Sequence, residues 1–259
     1  MAAVVKVSDV CFAYLSAREA YERFISMGVN EQQARNAVAL LLWLEQATEV
    51  MAIRRVHEFN AHAILCLAAE ANKILDCLRG QPNNFCAFPE IPFISSLCNT
   101  TIDPAFFVFQ QDVAAHCVAD ILDGIGPLVF NDRLYLLYRR STTGLCYRFR
   151  ELEAPYTFRM VTVPEDYRSM FITFSRGQPL EREEIFDYFR QKWGDCVVRV
   201  LMEKTTGGAP PMYGRIIFKS EAFVSLVLNG EQLIKVTINY RQIWLRRYIP
   251  RPNNNNNNA

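Results

Sequence analysis

Along the first 150 residues the apolar positions return at intervals of three and four, the period of a helix packed along one side. Ser8 can cap a segment that reaches Met27, with Gly28 as a left-handed stop. Asn30 followed by Gln33 resembles a capping box and opens a long segment to Phe59. Within it Ala34, Val38, Leu41, Leu42, Ala47 and Met51 keep to one broad face. A third segment covers about 61–79 and ends at Gly80 before Pro82. The stretch "GQPNNFCAFPEIPF" then breaks regularity. Asp103-Pro104 supply a cap and a first turn for a helix to about Asp123, closed by Gly124 and Gly126. "DRLYLLYRRS" leaves helix and strand both open.

After a linker at 151–163 the period shortens to two. "SMFITFS" is a strand, and "PLEREEIFDYFRQKWG" an amphipathic helix with Ile185, Phe186 and Phe189 on its apolar face. "CVVRVLME" and "MYGRIIFK" are strands joined by the loop "TTGGAP". "SEAFVSLVLNG" is a short helix capped by Ser220, and "LIKVTINY" a last strand. The order is β-α-β-β-α-β, the ferredoxin-like arrangement of a four-stranded sheet with both helices on one face. The expected fold class is therefore α+β, a helical N-terminal region (1–150) followed by a ferredoxin-like domain (164–251). The tail at 252–259 is Asn-rich and expected to be disordered.

Alternation assigns the strand residues to two faces. Met170, Ile172, Phe174, Gly214, Ile216 and Phe218 form the more apolar set, which should meet the helices. Phe171, Thr173, Tyr213, Arg215 and Ile217 are left on the open face, an aromatic on each central strand beside a cation. Such a face is a stacking platform for unpaired bases. Beyond "LIKVTI", the segment "NYRQIWLRRYIPR" interleaves Tyr240, Trp244 and Tyr248 with Arg241, Arg246 and Arg247. It reads either as a nucleic-acid-binding extension or as a segment packed on the domain through Ile243, Trp244 and Leu245.

Charge adds one pointer. Net charge is +1, yet residues 1–159 carry 14 Lys/Arg against 17 Asp/Glu, and residues 160–259 carry 14 against 10. The C-terminal part thus suits an anionic partner. Eight cysteines stand without any CxxC pair, and the N-terminus has no basic flank before a sustained apolar run. Reduced thiols of an intracellular protein, nuclear or cytoplasmic, are the expectation. The runs "AVALLL" and "AILCLAA" fall far short of the ~20 residues that span a bilayer, so no membrane partner is expected. His57, His62 and His116 lack cysteines at ligand spacing, and neither GxSxG nor GxxxxGK[ST] occurs. No catalytic residue, metal or cofactor is expected.

Residues 164 to about 251 resemble an RNA recognition motif (RRM) domain. "MFITFS" occupies the place of the shorter family signature, with Phe171 at its stacking aromatic. "PMYGRIIF" occupies the place of the longer one, K/R-G-F/Y-G/A-F-V-x-F/Y, where Tyr213, Gly214, Ile216 and Phe218 fit. Pro211, Met212 and Arg215 depart from it, so two of three stacking aromatics remain. The resemblance implies binding of single-stranded RNA. Phe171 and Tyr213 would stack bases, and Thr173 would contribute to RNA binding beside Phe171 on the open face. Arg215 would meet a base or phosphate, and Arg241, Trp244, Arg246 and Arg247 would extend the surface. The rival expectation is a protein-interaction adaptor whose RRM-like sheet is occluded, with the helical region as the site of a protein partner.

Overall fold

The computed structural model describes residues 4–48, 50–79, 90–98, 102–103, 105–143, 148–157, 163–175, 178–206 and 208–250. The chain divides into two units, Met1–Val161 and Thr162–Ala259. The first is built of α1 (Val7–Ala13), α2 (Leu15–Ser26), α3 (Glu31–Thr48), α4 (Ala52–Arg55), a 3-10 turn (Val56–Glu58) and α5 (Ala61–Arg79). It continues with α6 (Pro92–Cys98), α7 (Ala105–Phe109), α8 (Gln111–Gly124), α9 (Gly126–Val129), α10 (Asp132–Thr142) and α11 (Arg150–Glu153).

The axis of this unit is α3, buried without interruption from Asn36 to Leu44. A helix apolar on every side must be surrounded, and α2, α4, α5 and α8 pack around it. Its N-terminus is capped as the sequence predicts: the Asn30 side chain accepts from the N–H groups of Gln32 and Gln33 at 3.0 and 3.4 Å. Arg18, the one buried cation among the described residues, lies over the rings of Tyr21 and Tyr135 at 5.2 and 5.0 Å. It donates to Glu22 at 2.8 Å and to Asp132 at 2.5 Å, tying α2 to the start of α10.

Several helical expectations need correction. The segment from Ser8 to Met27 is broken at Tyr14, and Lys6 rather than Ser8 is the N-cap, its N–H donating to Asp9 at 2.8 Å. The long segment from residue 31 stops at Thr48 and resumes at Ala52, where the Glu45 carboxylate accepts from the Ile53 N–H at 2.7 Å. The helix after Asp103 breaks at Gln110. "DRLYLLYRRS" is helical, capped by Asn131, which accepts from the Leu134 N–H at 3.0 Å. Helix α6 lies partly in the stretch expected to be irregular. The buried Glu70 of α5 supplies its cap, accepting from the N–H groups of Phe93 and Ile94 at 3.1 and 2.9 Å. The expected linker begins too early. Leu152 is packed with Cys11, Leu134, Tyr135 and Tyr138, and the Tyr156 N–H donates to Val5 at 2.8 Å. The expected stop at Gly80 and the Asn-rich tail lie outside the described residues.

The second unit carries β1 (Ser169–Phe174), α12 (Arg182–Trp193), β2 (Val197–Met202), β3 (Tyr213–Phe218), α13 (Glu221–Leu228), β4 (Leu233–Ile238) and β5 (Arg241–Arg247). Five strands, not four, form one antiparallel sheet in the order β2-β3-β1-β5-β4. The strand beside β1 is β5, while "LIKVTI", expected to be the last strand, is the sheet edge. Between them Asn239 and Tyr240 turn the chain with φ of 46° and 64°. A two-residue hairpin whose twist matches its strands requires positive φ at both central positions. Tyr240 is 85% exposed and packs little. Tyr240→Gly therefore relieves a left-handed tyrosine at small packing loss. We expect a gain of about 1 kcal/mol, read as a higher urea midpoint of this unit.

Both helices cover one side of the sheet. Ile243 and Leu245 point to that side, and so do Arg241 and Arg247, which share their period of two. Arg241 pairs with Glu184 of α12, and Arg247 pairs with Glu221 of α13 at 2.7 Å. Met170, Ile172, Ile216 and Phe218 are buried on the same side, with Phe189 edge-on to Phe218 at 5.4 Å. The face away from the helices carries the chemistry described next. No helix among the described residues is long and apolar enough to cross a membrane.

Candidate functional site

Strand register arranges the open face in rows. In the first, Arg199 of β2, Ile217 of β3 and Ser169 of β1 stand side by side, and Tyr248 continues the row by donating its N–H to the Ser169 carbonyl at 3.0 Å. The second row is Leu201, Arg215, Phe171, Arg246 and Leu233, one residue from each strand. The third is Tyr213, Thr173, Trp244 and Lys235.

The rings and cations of these rows are interlocked. Phe171 and Tyr213 stack with centroids 5.6 Å apart and planes at 26°. The Arg246 guanidinium lies 4.7 Å from the Phe171 centroid, and Lys235 Nζ lies 5.6 Å from the Trp244 centroid. Ser169 is small and fully covered, which leaves room for the Tyr248 ring to reach over β1 to Arg215, 3.9 Å away. Arg215 also donates to Asp166 at 2.6 Å, and Arg199 donates to Glu165 at 2.6 Å. Two face cations are thus neutralised by the turn that precedes β1. Arg246 and Lys235 have no carboxylate partner among the described residues.

The residues predicted from sequence separate into three sets. Tyr213 and Trp244 are exposed, at 43% and 41%, on either side of Thr173. Phe171 and Thr173 are half-buried members of the same face, and Phe171 is flanked by Tyr213 and Arg246 rather than free for a ligand. Arg215 is on the face but not available as expected, since Asp166 and Tyr248 already engage it. Arg241 and Arg247 do not belong to the face at all. Strand alternation turns them to the helices, where Glu184 and Glu221 hold them. Only Arg246 of the three predicted C-terminal arginines points outward with Trp244. Lys235 completes the site without having been singled out, and Tyr248, read only as an aromatic of the extension, packs on Arg215; the sequence signal for Lys235 was period two before the Asn239-Tyr240 turn.

The described residues hold no group of three His, Cys, Asp or Glu placed to bind a metal. Burial pushes the Cys196 thiol up to about 12 and those of Cys11 and Cys98 up to about 11, so these are core thiols held protonated. The described cysteines are free of disulfides. No family model, no curated relative and no solved structure matches the chain.

Proposed function

We propose that the second unit is an RRM-like domain that binds single-stranded RNA on the open face of its sheet. The observation that carries this reading is the pair of exposed rings, Tyr213 and Trp244, in one row across the two strands flanking β1. Setting aside the edge strand β4, the remaining elements run β1-α12-β2-β3-α13-β5 with both helices behind the sheet, which supports the ferredoxin-like arrangement. Tyr213 and Trp244 stand two strands apart, roughly 10 Å at the strand spacing of a sheet. Neighbouring bases in a duplex strand are only about 3.4 Å apart. A ring can stack only on an uncovered base face, and two rings that far apart meet separate bases; a single strand exposes such faces and a duplex, whose bases are already stacked, does not.

The occluded adaptor is less well supported, because within this unit the two rings are left uncovered. The full chain, titrated with a pool of short single-stranded RNAs and with the same sequences as duplexes, is expected to bind the first and discriminate against the second. Absence of single-strand binding, or equal binding of both forms, would overturn the reading.

A further inference from the structure

We propose that the phosphates of the bound strand pass over the β5–β4 half of the face. Arg246 and Lys235 contact them on either side of a base stacked on Trp244, and the β2–β3 half takes none. This rests on the single-stranded RNA reading above and adds to it the path of the ligand's charge. The face divides sharply in electrostatics. On the β2–β3 half Arg199 and Arg215 are paired with Glu165 and Asp166, each at 2.6 Å, and Tyr248 lies over Arg215. A phosphate arriving there has to displace a carboxylate at close range, and it meets a second one beside it.

On the other half neither cation has a carboxylate partner among the described residues: Lys235 lies over Trp244, and Arg246 lies over Phe171 and donates to the Arg247 carbonyl at 3.3 Å. Lys235 stands opposite Trp244 and Arg246 opposite Leu233, so the two cations are diagonal neighbours across the β4–β5 ladder. Diagonal positions in an antiparallel pair are about 7–8 Å apart, and the indole of Trp244 shares their corner of the face. Trp244 is 41% exposed, enough to take a base. Arg241 and Arg247, the other described cations of this hairpin, are held behind the sheet by Glu184 and Glu221. The sheet thus sorts four basic residues of one hairpin into two that fasten the helices and two that face a ligand.

The test is the salt dependence of binding by the full chain, with a fluorescently labelled pool of short single-stranded RNAs between about 50 and 200 mM salt. Each phosphate contact to a single strand contributes about 0.7 to the slope of log K against log salt. Lys235→Gln and Arg246→Gln are each expected to flatten the slope by about that amount. Arg199→Gln removes the same formal charge from the same face and is expected to leave the slope unchanged. All three side chains are at the surface, and circular dichroism confirms that each variant folds. If Arg199→Gln flattens the slope while the other two do not, the path lies over the opposite half and the proposal falls, with the RNA reading intact. Equal flattening by all three means generic attraction and overturns the path as well. A wild-type chain that binds no single-stranded RNA removes both readings together.

Discussion

Replacing Tyr213 and Trp244 together by alanine is expected to weaken binding of single-stranded RNA by roughly 10²- to 10⁴-fold, since each stacked base is worth about 1–3 kcal/mol. Their exposure makes this a loss of ligand contact rather than of core, and the double variant should unfold at nearly the wild-type urea concentration. The single changes should not be equivalent. Tyr213 is preorganised by its stack on Phe171, so Phe171→Ala is expected to lower affinity indirectly, by releasing the tyrosine ring. Trp244 has no ring partner of that kind among the described residues and is accompanied by Lys235, so its loss removes a base contact next to a cation. Fluorescence anisotropy with a labelled RNA pool measures the four variants beside the wild type. A double variant that binds within a few-fold of wild type would mean that the face is not a base platform, whatever else the chain binds.

The sequence carried this site unevenly. Strands β1, β2 and β3 and both helices were legible because alternation and the glycine at position 194 agreed with one another, although the Ser220 hydroxyl expected to cap α13 makes no capping hydrogen bond. The fifth strand was not, and the reason is the Asn239-Tyr240 turn. A hairpin of this kind is usually announced by Asn-Gly or Asp-Gly, whereas here a strand-forming tyrosine fills the second position and hides the turn. Without the turn, Trp244 and three arginines read as an extension whose sides are undefined. With it, period two places Trp244 and Arg246 outward and Arg241 and Arg247 inward. The engagement of Arg215 by Asp166 and Tyr248 was illegible for a different reason. It joins residues 49 positions apart through a fold that brings the turn before β1 and the end of β5 to one side of the sheet. In the helical unit the same holds for α6, whose cap, Glu70, is 24 residues from the Ile94 N–H that it accepts.

Gly214 is the position where the local fit of the sheet is tightest, and Gly214→Ala is expected to destabilise the second unit by about 3 kcal/mol. The glycine is not there for backbone freedom, since its φ is not in the left-handed region. It is there for space. β2 shifts register between Val197 and Arg199, and beyond that irregularity the strands lie so that a Cβ on Gly214 would sit 2.7 Å from the Leu201 carbonyl oxygen. It would also sit 3.1 Å from Ile172 Cδ1. A side-chain methyl can turn aside, but the carbonyl belongs to the adjacent strand and moves only if β2 moves. That strand movement sets the cost at the upper end of overpacking effects. Because Gly214 lies between Tyr213 and Arg215, the same movement should lower RNA affinity in parallel with stability. A double-mutant cycle with Ile172→Val separates the two contacts. Removing Cδ1 relieves the 3.1 Å contact but leaves the 2.7 Å carbonyl contact and the 3.2 Å approach to Cγ1, so the valine should recover only a minor part of the urea midpoint lost. Full recovery would place the strain in the side chain, and a Gly214→Ala protein as stable as wild type would show that β2 yields without cost.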